Sequence, residues 1–207
     1  MNSKFLKKCL KAGIKTCALV VFSLGLAANT GLVHADKDGG KTNDGGHGEQ
    51  IMWLNHFDLL SGNIDELTTT FNSTSSGVGG GLTGLVIQSV TVGDVFLAGG
   101  GNKVVQMALD LPKETKITGV RVCYENTSNA SFITQIRLAQ VQNPPSSAMV
   151  KLDDGTDLTA LGPVCVNSTL VKPAIKAKNG PILLSLRVNT ANALDKIVIR
   201  GLGVFVK

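Results

Sequence analysis

The chain reads as all-β: an antiparallel two-sheet sandwich, jelly-roll-like, of about nine strands, with an immunoglobulin-like sandwich as the alternative. Three observations carry this. Glycine numbers 24 in 207 residues, well above the usual share, which favours turns and short strands over long helices. From residue 51 onward, short segments rich in Val, Ile, Leu and Thr alternate with clusters of turn residues. Several of those segments alternate apolar and polar residues with period two, the mark of one buried and one wet face.

In chain order, strands are expected at 51–57, 82–92, 103–109, 117–125, 132–141, 148–152, 163–166, 181–189 and 196–206. Val105, Met107 and Leu109 oppose Gln106 and Asp110. Val120, Val122 and Tyr124 oppose Arg121, Cys123 and Glu125; Ile182, Leu184, Leu186 and Val188 oppose Ser185, Arg187 and Asn189. Turn signals separate them at 112–114, 126–129, 143–145, 153–155 and 179–181. Residues 58–71 read as a helical turn or an edge strand, and 72–81 (NSTSSGVGGG) as a loop. An immunoglobulin domain would place its tryptophan between the paired cysteines, whereas the single tryptophan, Trp53, precedes both. Hydrophobic residues at 43% allow a real core, and charged residues at 17% exclude a coiled coil or a charged-tail protein.

The amino terminus reads as an address. Lys4, Lys7, Lys8, Lys11 and Lys15 precede the uncharged run CALVVFSLGLAA at 17–28, and Val33-His34-Ala35 suits cleavage before Asp36, so 1–35 is read as a secretory signal peptide. The run is too short to span a bilayer, and no later segment is long and apolar enough, so no transmembrane segment remains after cleavage. The expected location is secreted, periplasmic or cell-surface-associated. Those five lysines leave with the signal, so the 20 Lys and Arg fall to 15, against 15 Asp and Glu. A neutral chain has no general pull on phosphates, so no nucleic-acid partner is expected. Residues 36–50 read as a flexible polar tail and 51–207 as the sandwich domain. Cys9 and Cys17 also leave; Cys123 and Cys165 remain, and in an oxidising compartment they are expected to pair, stabilising the fold by about 4 kcal/mol, the alternative being two buried thiols.

Residues that carry chemistry are few. The Gly-rich runs at 79–84 and 98–103 lack the strand–helix context and the Ser or Thr of phosphate-binding loops. His56 is the sole candidate base outside the tail, in the cluster Trp53-Leu54-Asn55-His56-Phe57-Asp58, and there is no nucleophile-elbow motif, so no catalytic residue is assigned. Asp153, Asp154 and Asp157 make the best cation loop, a Ca²⁺ candidate, while the Asp-x-Asp-Gly start at 36–39 has His47 where a calcium loop needs glutamate. Otherwise no cofactor is expected. Aromatic residues are only 4%, which leaves Trp53 as the one plausible sugar-stacking platform, Tyr124 falling on a core face. Arg121, Arg137 and Arg187 lie opposite the buried faces of their strands, and would form an outer Arg cluster if those strands share a sheet; the bland reading pairs them with Glu125 or Asp110. Asn72, Asn126, Asn129 and Asn167 each open a glycosylation sequon.

Leu111-Pro112, the stretch ITGVRVCYEN at 117–126, Ile136-Arg137-Leu138 and the closing IVIRGLGV at 197–204 together resemble exported bacterial β-sandwich domains of unassigned function. The resemblance covers half the chain. It implies a jelly-roll-like sandwich and a homo-oligomer, a trimer, and carries over no catalytic residue. The leading functional expectation is an exported non-enzymatic binding or assembly protein with a protein or glycan partner. The alternative is an extracellular hydrolase or carbohydrate-binding module with a site near Trp53, His56 and the 153–157 loop. A polar pocket at His56 would favour the second, and a broad, partly apolar outer patch the first.

Overall fold

The computed structural model describes residues 49–71, 84–142, 145–170 and 173–207, all within the compact unit Gly45–Lys207. The signal peptide, nearly all of the polar tail, the loop after residue 71 with its Gly-rich run, and sequon Asn72 lie outside the described residues. Among the described residues there are twelve strands: β1 (Gln50–Leu54), β2 (Leu60–Ser61), β3 (Leu67–Phe71), β4 (Leu85–Ser89), β5 (Val104–Leu109), β6 (Lys116–Asn126), β7 (Phe132–Val141), β8 (Ala148–Asp154), β9 (Val164–Thr169), β10 (Ile175–Lys176), β11 (Ile182–Asn189) and β12 (Ile197–Val206). Helical structure among the described residues is confined to two 3-10 turns, His56–Asp58 and Ala177–Asn179.

Seven strands form one antiparallel sheet: β10, β6, β12, β4 and β3 in order, with β1 also on β12 and β9 also on β6. The other five form the second sheet in the order β2–β5–β11–β7–β8. The chain changes sheet at six of the eight connections after β4, β7–β8 and β9–β10 being the exceptions, a jelly-roll-like connectivity. The two-sheet sandwich is therefore as expected, with more strands. β2, β3 and β10 are short edge strands without a long apolar signature of their own, so their existence depends on the neighbour that supplies their hydrogen bonds. The expected strand at 51–57 ends earlier, because the Asn55 side chain accepts a bond from Phe57 N and opens the first 3-10 turn. Gln50, placed in the tail by sequence, begins β1.

The core lies between the sheets. Val105, Met107 and Leu109 of β5, Ile136 and Leu138 of β7, and Leu184, Leu186 and Val188 of β11 face Val120, Val122 and Tyr124 of β6 and Leu202 and Val204 of β12. Those of β5, β6 and β11 are the alternating residues identified by sequence, and Tyr124 is in the core. At one end of the sandwich the buried Lys103 ammonium donates to Thr91 O at 2.6 Å, Val92 O at 3.2 Å and Thr190 Oγ1 at 3.3 Å. Burial pulls its pKa down, opposed by the nearby Glu66 and Asp94 carboxylates. At the other end Gly180, with φ +140, closes the expected turn where a Cβ would come 2.2 Å from Val141 O.

Cys123 and Cys165 are bridged, with α-carbons 3.9 Å apart. They sit directly opposite one another on β6 and β9, so the bond locks the register of two adjacent strands. Leu184 is fully buried between Met107 and Leu138 in the smaller sheet. Leu184→Ala is expected to lower unfolding free energy by about 3 kcal/mol in urea titration; a loss below about 1 kcal/mol would mean the two sheets do not pack as described.

Candidate ligand platform on the outer face of the larger sheet

Strand β1 lies antiparallel to the second half of β12, with Trp53 opposite Gly203. Gly203 lies opposite Arg121 on β6, and Arg121 opposite Asn167 on β9. One cross-strand row thus reads Trp53, Gly203, Arg121, Asn167. All four point away from the core, because Val120 and Val122 beside Arg121, and Leu202 and Val204 beside Gly203, point into it. At the usual strand spacing the row is about 14 Å long, the span of a short oligosaccharide rather than of a single ion.

The indole rests on glycine. A Cβ on Gly201 would stand 3.3 Å from Trp53 Cζ3, and a Cβ on Gly203 would stand 3.3 Å from Trp53 Cε3. These two positions need glycine for close approach, so that the ring can lie down on the sheet. The floor continues through Cys123, whose Sγ is 3.9 Å from the same Gly201 position, into the disulfide. Trp53 stays 57% exposed. An aromatic ring held against the sheet with its far side in water is a surface for the apolar face of a sugar ring.

Arg121 is distinct among the four arginines of the chain. Arg137 is forked onto Asp153, Nε to Oδ1 at 3.2 Å and Nη2 to Oδ2 at 3.0 Å. Arg187 meets Asp94 at 2.5 Å, and Arg200 meets Glu125 at 3.0 Å with both side chains nearly buried. Arg121 makes no ion pair among the described residues, which sets it apart from the other three.

The expected Arg cluster does not form, because sheet membership separates it. Arg121 belongs to the larger sheet, while Arg137 and Arg187 belong to the smaller one. The expected partners differ too: Glu125 is not on a wet face but pairs with Arg200, and Asp153 and Asp94 take the places proposed for Glu125 and Asp110. Asp153 and Asp154 end strand β8 rather than forming a turn. Asp153 also accepts from Gln135 Nε2 at 2.6 Å, and Asp154 accepts from Thr156 N at 3.0 Å. Among the described residues no group of three or more His, Cys, Asp and Glu side chains is gathered to hold a metal ion, and with Asp157 the three aspartates do not converge.

His56 lies in the 3-10 turn after β1 rather than on a strand, its ring 4.3 Å from that of Phe57. Burial lowers its pKa below the ordinary histidine value by penalising the charged ring. Among the described residues its Nε2 is buried without a hydrogen-bond partner. Trp53 and His56 are close in sequence, but Asp153 and Asp154 belong to the other sheet, so the three parts of the expected composite site are not joined. Asn126 is buried, its Nδ2 donating to Leu158 O at 2.9 Å and Ala160 O at 3.0 Å, whereas Asn129 and Asn167 are exposed.

No family model and no curated protein matches the sequence. Several solved structures are similar to the chain. The CBM22-1 and GH10 modules of a Clostridium thermocellum xylanase, complexed with xylohexaose, share 10% identity at a TM-score of 0.44, over 77% of this chain and 28% of that one. The CBM22-1 xylan-binding domain from Paenibacillus barcinonensis shares 8% identity at a TM-score of 0.46, over 73% and 90%. A family 61 module in complex with β-1,4-galactotriose shares 13% identity at a TM-score of 0.44, over 75% and 88%. This chain thus spans about a quarter of the first of these.

As the single tryptophan, Trp53 reports on the platform by its own fluorescence. Gly201→Val is expected to lift the indole off the sheet, shifting its emission to the red and raising its acrylamide quenching. Unchanged quenching would show that the ring does not rest there.

Proposed function

We propose that the chain is an exported, non-enzymatic carbohydrate-binding sandwich whose ligand lies across the outer face of the larger sheet. One observation carries this reading: Trp53 lies on Gly201 and Gly203, half open to water, in line with Arg121 and Asn167. The ring offers stacking, and the guanidinium and the carboxamide offer hydrogen bonds in the plane of the sugar hydroxyls. That His56 Nε2 has no hydrogen-bond partner among the described residues supports binding without turnover. Export is supported by the basic and apolar leader and by the Cys123–Cys165 bridge, which needs an oxidising compartment.

Two results test this. Trp53→Ala should weaken binding to a soluble polysaccharide at least about tenfold in affinity electrophoresis, with stability changed by less than about 1 kcal/mol because the ring is half exposed. Unchanged affinity would remove the platform. Protein recovered from outside the producing cell should have the intact mass of a chain starting at Asp36; a mass that retains residues 1–35 would overturn cleavage.

A further inference from the structure

The outer face of the larger sheet carries a second row. Lys116 and Lys207 exchange backbone bonds, Lys116 N to Lys207 O at 3.3 Å and Lys207 N to Lys116 O at 3.0 Å. Lys176 stands opposite Lys116 on the other side. Lys207, Lys116 and Lys176 are therefore side by side on three adjacent strands. Their neighbours in sequence settle which way they point: Ile117 and Ile175 are in the core and Val206 packs against it, so all three lysines face outward, and all three are exposed. Among the described residues none of the three forms an ion pair with a carboxylate.

Like charges placed directly across strands repel. Of the carboxylates near this face, Glu125 is held by Arg200, while Glu49 accepts the Thr118 hydroxyl and keeps its negative charge, one against the three lysines. The irregularity in β6–β12 pairing beside Val206 brings Lys116 to the same face as Arg121, five residues on, about 16 Å along the strand. Between them lies Gly119, opposite Phe205 on β12, whose ring lies 3.1 Å from where a Gly119 Cβ would stand and so provides an apolar surface between the two cationic rows. The face thus presents four cations in two rows, one row carrying the aromatic platform.

Resting on the glycan reading of Trp53, we infer that the ligand is a polyuronate, a glycan whose sugars bear carboxylates: one ring stacks on Trp53, its carboxylate meets the unpaired Arg121, and following carboxylates meet Lys116, Lys176 and Lys207. Arginine matches a carboxylate in two parallel hydrogen bonds, and lysines add point charges along a flexible polyanion.

The test measures affinity of the purified protein for polygalacturonate, neutral dextran and dextran sulfate at low and high ionic strength, together with Arg121→Gln, Trp53→Ala and the combined Lys116→Ala, Lys176→Ala, Lys207→Ala variant. Polygalacturonate should bind about tenfold more tightly than dextran, and the lysine variant should lose that advantage and most of the salt dependence while retaining its dextran affinity, which also shows that it is folded. Arg121→Gln should lower polygalacturonate affinity by a larger factor than dextran affinity. Dextran sulfate binding as tightly as polygalacturonate would overturn the carboxylate assignment, and a lysine variant that binds polygalacturonate as the parent does would overturn the inference. If neutral glycans bind through Trp53 while polygalacturonate binds no better, the anionic ligand fails and the platform stands. If Trp53→Ala changes neither, the platform fails with it.

Discussion

Strand β12 hydrogen-bonds along one side to β6 for its whole length, and along the other to β4 over its first residues and to β1 over its last. Every feature of the outer face depends on this one strand. Its inward residues, Ile197, Ile199, Leu202 and Val204, anchor it in the core. Its outward positions at 201 and 203 are glycines, which opens a shallow lane between β1 and β6. The Trp53 ring lies over that lane because bare backbone allows an approach that any side chain would block.

The two outer faces of the sandwich handle charge differently. On the smaller sheet, Arg137 and Arg187 are each matched by a carboxylate, and Asp153 is matched again by Gln135. These groups satisfy one another and present a closed polar surface of little net attraction. On the larger sheet the Arg200–Glu125 pair is buried and closed, but Arg121, Lys116, Lys176 and Lys207 are left without ionic partners among the described residues. A surface on which cations outnumber carboxylates favours an anionic ligand. Its neighbour, a tryptophan seated on glycine, supplies the apolar part of the same recognition.

The disulfide serves this arrangement through register. β9 carries Asn167 and Cys165 and joins the sheet only at its edge, through β6. Because side chains alternate, a slip of one residue would turn Asn167 inward and Ser168 outward. The covalent link opposite Cys123 prevents that slip and holds the fourth member of the Trp53 row in place.

Sequence alone determined the period-two strands, the inward residues of β5, β6 and β11, the Cys123–Cys165 bridge and the singular position of Trp53, since each is a property of neighbours along the chain or of composition. It also contained the G-x-G of β12 and the lysines at 116, 176 and 207, without any sign that they matter. Tertiary structure alone decided which strands share a sheet. Arg121, Arg137 and Arg187 occupy equivalent outward positions in three similar strands, yet one faces the tryptophan and two face their own aspartates, because connections crossing between sheets send β6 one way and β7 and β11 the other. Cross-strand rows are set by pairing and register between segments far apart in sequence, so Trp53 beside Gly203, Arg121 and Asn167, and Lys116 between Lys207 and Lys176, exist only once the sheet is assembled.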